Sequence, residues 1–184
     1  MSVIRKLIQV AVALLCLGAA AAILRDNGLP TSAPGMRESG QRRAGTIGSA
    51  APSFTLQTHG LESFTLRPAP GGATVLNFWA TWCQPCRAEM AQLQALVESN
   101  PDSPRIIAVN LGETFASVRE WVEDLGLTYT VLLDPQLSVA SLYGVRGLPT
   151  TLLLDAQLMV KQIYYGPVSP AELLRRIDDF ANRS

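Results

Sequence analysis

Cysteine and histidine are scarce in this chain, and neither sign of charge is in excess. Its 184 residues include three cysteines and one histidine, and Lys+Arg and Asp+Glu number 15 each. Three cysteines are too few for a scaffold built on disulfides. A balanced charge provides neither a basic surface for nucleic acid nor an acidic arm. The length suits one ordinary domain with accessory segments, and no nucleic-acid partner is expected.

A long apolar run follows two basic residues at the N-terminus. Arg5 and Lys6 precede residues 7–24, in which Gln9 is the one strongly polar residue. A helix rising about 1.5 Å per residue would span roughly 27 Å over this run, close to the hydrocarbon thickness of a bilayer. Positive charge before the first apolar segment favours export of the chain beyond that segment. Residues 1–24 are therefore predicted to be a membrane anchor or signal sequence, with the remaining chain exported.

A cleaved signal peptide is the alternative for this segment. Ala20 and Ala22 are small enough for a signal peptidase, although the run exceeds the usual apolar region of about 7–15 residues. Cys16 is expected to be an inert thiol, because the bulky Leu15 precedes it where a lipoprotein signal has a small residue. Residues 25–47 are rich in Gly, Pro, Ser and Arg without apolar periodicity, which predicts a flexible linker.

Residues 48–184 have the alternating pattern of one α/β domain. Short apolar runs predict buried strands, and apolar residues three and four apart predict amphipathic helices. The predicted strands are 54–56, 64–66, 74–79, 105–109, 128–133, 150–154 and 159–164, and the predicted helices are 83–99, 115–125, 136–143 and 170–180. Ser169 and Glu172 form a capping-box pattern before the last helix. Strands that alternate with helices predict a mixed α/β sandwich.

Cys83 and Cys86 form a C-x-x-C pair where a predicted strand ends and a helix begins. Residues three apart in a helical turn lie on one face, which brings two sulfurs within the span of a disulfide. Free N–H groups and the dipole at a helix N-terminus favour a thiolate at the first cysteine. Pro85 fits the first turn because its missing N–H has no helical partner there. This placement indicates redox chemistry.

A zinc site is the alternative meaning of a C-x-x-C pair. Zinc needs two further ligands, and the chain offers only His59 and Cys16, neither plausibly placed. We therefore expect no metal.

Pro149 precedes a predicted strand in the segment GLPT at 147–150. A proline cannot donate to a strand ladder, so a cis proline in a tight turn is reasonable at a strand entry. The spacing alone fits an ordinary trans turn proline equally well.

The residues around the cysteine pair resemble a known family. The segment FWATWCQPC at 78–86 looks like the active-site segment of the TlpA/ResA-like group, membrane-anchored thioredoxin-fold thiol–disulfide oxidoreductases that include the CcmG-type reductants of cytochrome c maturation. Further matches are APSF at 51–54, VN at 109–110 and GLPT at 147–150. The resemblance implies a thioredoxin fold, with a mixed central sheet flanked by helices and an N-terminal β-hairpin extension.

The resemblance also implies roles for particular residues. Cys83 matches the nucleophilic cysteine and Cys86 the resolving one. Pro149 matches a cis proline that faces the disulfide, and the Leu148 backbone would pair with an extended substrate segment. Glu89 matches an active-site glutamate that could carry a proton during exchange. A solvated charge on the helix surface is the alternative for this glutamate.

Three motif residues, Trp82, Gln84 and Pro85, are expected to contact the substrate, although Trp82 could instead pack around the sulfurs, as is expected of Trp79. The strand before the motif departs from thioredoxin itself, because Asn77 stands where thioredoxin has a buried aspartate. An asparagine cannot titrate, so proton transfer must use the nearby glutamate, water or another group.

The function implied by the resemblance is extracytoplasmic thiol–disulfide exchange with no cofactor beyond the Cys83–Cys86 disulfide. The enzyme would reduce disulfides in exported proteins, with apocytochrome c as the leading candidate, and a membrane thiol–disulfide carrier would supply its electrons. A disulfide-forming oxidant is an alternative, because direction depends on which redox state the fold stabilises. A peroxiredoxin-type peroxidase is another, although its Pro-x-x-x-Thr-x-x-Cys pattern is missing. A binding module such as an apocytochrome chaperone is the third.

Overall fold

One mixed sheet organises the computed structural model, which describes residues 45–68 and 72–181. Its strands are β1 (Thr55–Thr58), β2 (Ser63–Thr65), β3 (Thr74–Trp79), β4 (Arg105–Leu111), β5 (Thr130–Asp134), β6 (Thr150–Leu154) and β7 (Val160–Tyr165). The helices in this part of the chain are α1 (Gln84–Ser99), α2 (Phe115–Asp124), α3 (Ser138–Leu142) and α4 (Pro170–Ala181). The strand order is β2-β1-β5-β4-β3-β6-β7.

Strand β3 lies inside the sheet, and all six of its residues are buried. It pairs in parallel with β4 and antiparallel with β6. Because successive side chains point to opposite faces, Val75 and Trp79 join one core cluster while Leu76 and Phe78 join the other. Residues of α1, α2 and α4 complete the first cluster, and residues of α3 contribute to the second. The continuous apolar run is thus explained by burial on both faces.

The predicted N-terminal hairpin is present as β1 and β2, which pair antiparallel. Strand β1 also pairs antiparallel with β5, so the hairpin extends the sheet along that edge. All the predicted strands and helices of the domain exist in the described residues, with bounds that differ by a few residues. Strand β4 is longer than predicted because Asn110 and Leu111 pair with β3 and β5.

Helix α3 is shorter than predicted and starts after a residue in an unusual backbone conformation. Leu137 has a φ of 57°, in the left-handed region that disfavours side chains, and it precedes the first helical residue. The Asp134 carboxylate accepts hydrogen bonds of 2.8–3.0 Å from the free N–H groups of Ser138, Val139 and Ala140. The helix is therefore capped from the end of the preceding strand.

Only one of the two hydrogen bonds of the capping box predicted for the last helix is present. The hydroxyl of Ser169 accepts a 3.3 Å hydrogen bond from the Glu172 N–H. The Glu172 carboxylate instead accepts hydrogen bonds from Arg175, Arg176 and the Tyr164 hydroxyl. The two arginines, one turn further along the helix, hold this carboxylate away from the N-cap.

The predicted anchor at 1–24, with Cys16, and the predicted linker up to residue 44 lie outside the described residues. Within the part of the chain that the structure describes, no helix is both long enough and apolar enough to span a bilayer.

Candidate active site

The cysteine pair lies where the chain turns from the buried strand β3 into α1. Cys83 is the N-cap residue of α1, with extended backbone dihedrals, and Pro85 occupies its first turn. The Cys83 N–H donates to the Ala80 carbonyl at 3.1 Å, and the Cys86 N–H donates to the Cys83 carbonyl at 3.0 Å. The two cysteines form a disulfide, with Cα atoms 5.3 Å apart. A redox-active pair at a helix N-terminus is thus assembled where the spacing predicted it.

The two sulfurs differ in how far a partner could reach them. Cys83 is 4% exposed and Cys86 is completely buried. Gln84 and Pro85, between them, are exposed. A substrate disulfide can therefore meet Cys83 first, which agrees with the nucleophilic role implied for it.

Trp82 lies beside the pair and is 72% exposed. Most of its side chain is therefore open to solvent and not part of the core. Trp79 is completely buried in the same core cluster as both cysteines. It stacks on Trp121 of α2 with ring centroids 5.2 Å apart, and the Arg87 guanidinium lies over the outer ring of that stack, 5.1 Å from its centroid.

Glu89 lies on the buried side of α1 and is 2% exposed, whereas other residues of the same helix face solvent. The alternative of a solvated surface charge is therefore wrong. Its carboxylate accepts hydrogen bonds from the Asn77 amide at 3.0 Å and from the Val168 N–H at 3.1 Å, with the Thr151 hydroxyl at 3.5 Å. Burial raises the pKa of Glu89 above its ordinary value, and these hydrogen bonds offset that rise only in part. The group is thus prepared to hold a proton more firmly than a surface glutamate.

Asn77 connects the strand to this carboxylate. It faces Thr151 across the β3–β6 pair and donates to that hydroxyl at 2.9 Å as well as to Glu89. Its carbonyl oxygen is buried without a hydrogen-bond partner. Tyr129 lies on the same side of the core, and burial, with a smaller contribution from the Glu89 charge, raises the pKa of this phenol. The residue that replaces the thioredoxin aspartate therefore supports the glutamate directly.

Pro149 follows a cis peptide bond and is buried at the start of β6. The pairing of Phe78 with Thr150 places this proline at the end of the sheet where β3 runs into the cysteine segment. Leu148 is half-buried and packs against the core cluster that contains both cysteines. The Thr150 hydroxyl donates to the Gly147 carbonyl at 2.7 Å, which closes the turn. The structure thus places GLPT and the cysteine pair at one end of the sheet.

Three polar groups of this region were missed by the sequence analysis: Thr151, the Val168 N–H and Glu113. Strand periodicity could have identified Thr151, because it occupies a core-facing position and pairs with Asn77. Glu113 accepts hydrogen bonds from Thr81 just before the motif. Nothing in the sequence links Thr81 to Glu113, because the two residues are 32 positions apart. Among residues 45–68 and 72–181, no group of three potential metal ligands comes together.

A C-x-x-C disulfide at a helix N-terminus, at the same end of this mixed sheet as a cis proline that precedes a strand, defines the thioredoxin-like class of protein. The chain is 29% identical to the Chlorobium tepidum protein whose crystal structure is described as a thiol:disulfide interchange protein DsbE. That match has a TM-score of 0.64 and covers 73% of this chain and 96% of the other. The predicted thioredoxin fold is confirmed.

Residues 47–163 match the model of the AhpC/TSA family, and the chain belongs to that family. It is 36% identical over 106 residues to the thiol-disulfide oxidoreductase ResA of Geobacillus thermodenitrificans, an alignment that covers 57% of this chain and 61% of ResA. It is 34% identical over 134 residues to the thioredoxin-like protein YneN of Bacillus subtilis, covering 71% of this chain and 78% of that protein. The resemblance to the TlpA/ResA-like group is thereby confirmed, over about three fifths of the length of ResA.

Proposed function

We propose that this protein is an extracytoplasmic thiol–disulfide oxidoreductase that reduces disulfides in exported proteins. The observation that carries the proposal is the Cys83–Cys86 pair at the N-terminus of α1. Of the two cysteines only Cys83 has any exposed surface, and the buried Glu89 lies three residues beyond Cys86. Relatives that are named thiol-disulfide oxidoreductases support the same activity. The cysteine pair is itself the redox group, so the proposed reaction requires no further cofactor.

The first step of the proposed mechanism takes place at Cys83. Its thiolate, favoured by the free N–H groups and dipole of α1, attacks one sulfur of a substrate disulfide. A mixed disulfide forms, and the other substrate sulfur leaves as a thiolate and takes a proton from solvent. The exposed Trp82, Gln84 and Pro85 surround this point of contact. In the proposal, the Leu148 backbone pairs with the substrate segment.

The second step requires Cys86 to lose its proton. Glu89 lies one helical turn further along α1, and residues three apart on a helix are neighbours. The Glu89 carboxylate accepts the Cys86 proton, and the Cys86 thiolate attacks the Cys83 sulfur of the mixed disulfide. The second substrate sulfur leaves as a thiolate. The substrate has gained two electrons and the enzyme disulfide has formed.

Trapping tests the exchange mechanism. In Cys86→Ser the mixed disulfide on Cys83 cannot be resolved, so substrate proteins should remain attached and be released by reductant. Cys83→Ser is the matched control, because it retains Cys86 and Cys16 but lacks the proposed nucleophile. Recovery of no adducts from Cys86→Ser, or of the same adducts from both variants, would refute the mechanism.

The direction of electron flow rests on the ResA-like relatives and is part of the proposal. In an oxidising compartment a reductant must be recharged, and a membrane thiol–disulfide carrier is the proposed donor. Equilibration of the Cys83–Cys86 pair with a glutathione redox series measures its potential. A value near that of strong oxidants, about −120 mV, would reverse the proposed direction.

The proposed location is the periplasmic side of the inner membrane, with residues 1–24 as a single-pass anchor. The basic residues before the apolar run support this orientation. Apocytochrome c is the proposed substrate, through its cysteine pair at the haem-attachment site. Identification of the proteins trapped on Cys86→Ser tests this choice, since a set without cytochromes would exclude it.

A peroxidase activity receives less support than exchange. Residues 47–163 match the AhpC/TSA family model. However, no cysteine of the chain stands in the Pro-x-x-x-Thr-x-x-Cys pattern of a peroxiredoxin-type peroxidase. Consumption of hydrogen peroxide by the reduced protein, at a rate that competes with disulfide exchange, would favour it. A double Cys83→Ser, Cys86→Ser variant that still complements a deletion strain would favour a chaperone instead.

A further inference from the structure

The Glu113 carboxylate holds the segment that leads into the cysteine pair. One of its oxygens accepts hydrogen bonds from the Thr81 N–H at 2.7 Å and from the Asn110 amide at 2.6 Å. Its other oxygen accepts a hydrogen bond from the Thr81 hydroxyl. Thr81 is therefore tied through its backbone and its side chain to a residue on another loop.

The loop that carries Glu113 is itself fixed at both ends. Gly112 follows β4 with a φ of +74°, and its N–H donates to the Asp134 carbonyl at 3.1 Å. A Cβ on Gly112 would also come within 3.4 Å of the Leu137 side chain. On the other side, Thr114 caps α2 by accepting from the Ser117 N–H at 3.4 Å. Glu113 is thus a rigid point against which the cysteine segment is held.

The residue that this arrangement presents is Trp82. It lies between the tethered Thr81 and Cys83, and its indole is 72% exposed. Tryptophan is enriched among the residues that dominate protein–protein binding, because it buries a large apolar area at small entropic cost. An exposed indole next to the reactive sulfur is therefore suited to the apolar surface of a polypeptide that carries a disulfide.

We infer that Glu113 is a positioning residue that fixes Thr81 and thereby presents Trp82 to protein partners of Cys83. The inference rests on the proposed exchange function and adds that partner recognition depends on a carboxylate that touches neither sulfur nor substrate. It also predicts that the shape of Glu113 matters more than its charge. A glutamine can accept from the Thr81 and Asn110 donors with its carbonyl oxygen, while its amide donates to the Thr81 hydroxyl.

Two disulfides of different size test the inference on the reduced full-length protein. Insulin presents polypeptide around its disulfides, whereas hydroxyethyl disulfide has no side chains that could pack on Trp82. Glu113→Ala should lower the rate constant with insulin about 10-fold or more, the scale of a lost interface anchor, and lower that with hydroxyethyl disulfide by less than about 3-fold. Glu113→Gln should stay within about 3-fold of the wild type with both substrates. Glu120→Ala, at an exposed position of α2, is the matched control.

A double-mutant cycle separates positioning from general damage to the fold. If Glu113 acts through Trp82, the insulin rate of Glu113→Ala with Trp82→Ala should equal that of Trp82→Ala alone, because the two residues serve one interaction. Should Glu113→Ala fail to fold, Thr81→Ala removes one of the three hydrogen bonds and should lower only the insulin rate, by about 3-fold. Equal losses on both disulfides, additive effects in the cycle, or a Glu113→Gln variant as impaired as Glu113→Ala would each overturn the inference. A wild-type protein that reduces neither disulfide would instead refute the proposed function.

Discussion

The Asn77 amide donates a 3.0 Å hydrogen bond to Glu89 from the strand that leads into the cysteine pair. Both side chains are buried, and the second acceptor of the same amide is the Thr151 hydroxyl. A neutral amide therefore stabilises a buried carboxylate that the proposed mechanism uses as a proton acceptor. The carbonyl oxygen of Asn77 has no hydrogen-bond partner, so a rotated amide could accept the proton of a protonated Glu89. One asparagine can thus serve both protonation states.

Glu89→Gln should change how the stability of the oxidised protein depends on pH. Because burial raises the folded pKa of Glu89, the folded state binds its proton more tightly than the unfolded state does. Stability is then lost as pH rises above about 4.5 towards the folded pKa. Glutamine removes that loss, so the variant should melt a few degrees above the wild type at pH 8, with a difference that shrinks towards pH 4.5.

Thermal unfolding of the oxidised protein from pH 4.5 to pH 8 measures this difference. Glu98→Gln, at an exposed position of the same helix, is the control and should follow the wild type. Parallel curves for Glu89→Gln and wild type would contradict the assigned pKa direction.

The same variant should also resolve mixed disulfides more slowly, since Cys86 loses its proton acceptor.

Asn77→Asp should destabilise the protein increasingly as pH rises. The new carboxylate would lie about 3 Å from the Glu89 carboxylate, and two buried like charges at that distance cannot both ionise freely. One proton must be retained by the pair, which costs stability wherever the unfolded chain would release it. We expect the loss of unfolding free energy to grow from pH 5 to pH 8, as measured by urea unfolding. Asn100→Asp, at the C-cap of α1, should show no comparable trend.

Gly112→Ala should destabilise the fold and impair the reaction with protein disulfides. Its φ of +74° is strained for alanine, and the new methyl would approach Leu137. The expected cost is about 1–2 kcal/mol of unfolding free energy. Gly72→Ala is the control, because a methyl group added at that position would meet no atom within 4 Å and the backbone there has no positive φ. Equal unfolding midpoints for the two variants would show that this turn carries no strain.

Asp134→Ala should loosen the start of α3. The carboxylate is completely buried and accepts hydrogen bonds from the N–H groups of Ser138, Val139 and Ala140. Their loss leaves buried donors unsatisfied, at a cost of about 2 kcal/mol or more. Hydrogen exchange should accelerate at these three amides before it does in β3. Asp178→Ala, on the exposed side of α4, should leave their exchange unchanged.

The order of strands and helices along the chain could be predicted from the sequence, because buried positions recur with the period of a strand or a helix. Strand β3 agrees with its predicted bounds, since two-sided burial makes every residue apolar or paired. The ends of β4 and α3 were less predictable. Strand β4 continues through Asn110 because of its pairing partners, and α3 begins only after the left-handed Leu137. Both features depend on neighbours that the local sequence does not reveal.

The candidate site was predictable in its cysteines and less so in its polar surroundings. The C-x-x-C spacing and the preceding strand were enough to locate Cys83 and Cys86. The burial of Glu89 requires Asn77, Thr151 and the backbone of Val168, which come from three other segments. Long-range polar contacts of this kind have no sequence period, so only the folded chain reveals them.

The two ends of the described domain lie at different ends of the sheet. Gly45 lines a groove with Tyr165, and Tyr165 pairs with Thr150, the residue after the cis proline. Towards the C-terminus, Ile177 lines a groove with Arg105 at the start of β4, the opposite end of that strand from Asn110. A fluorophore, affinity tag or surface attachment joined after α4 therefore leaves the reactive end free for large partners.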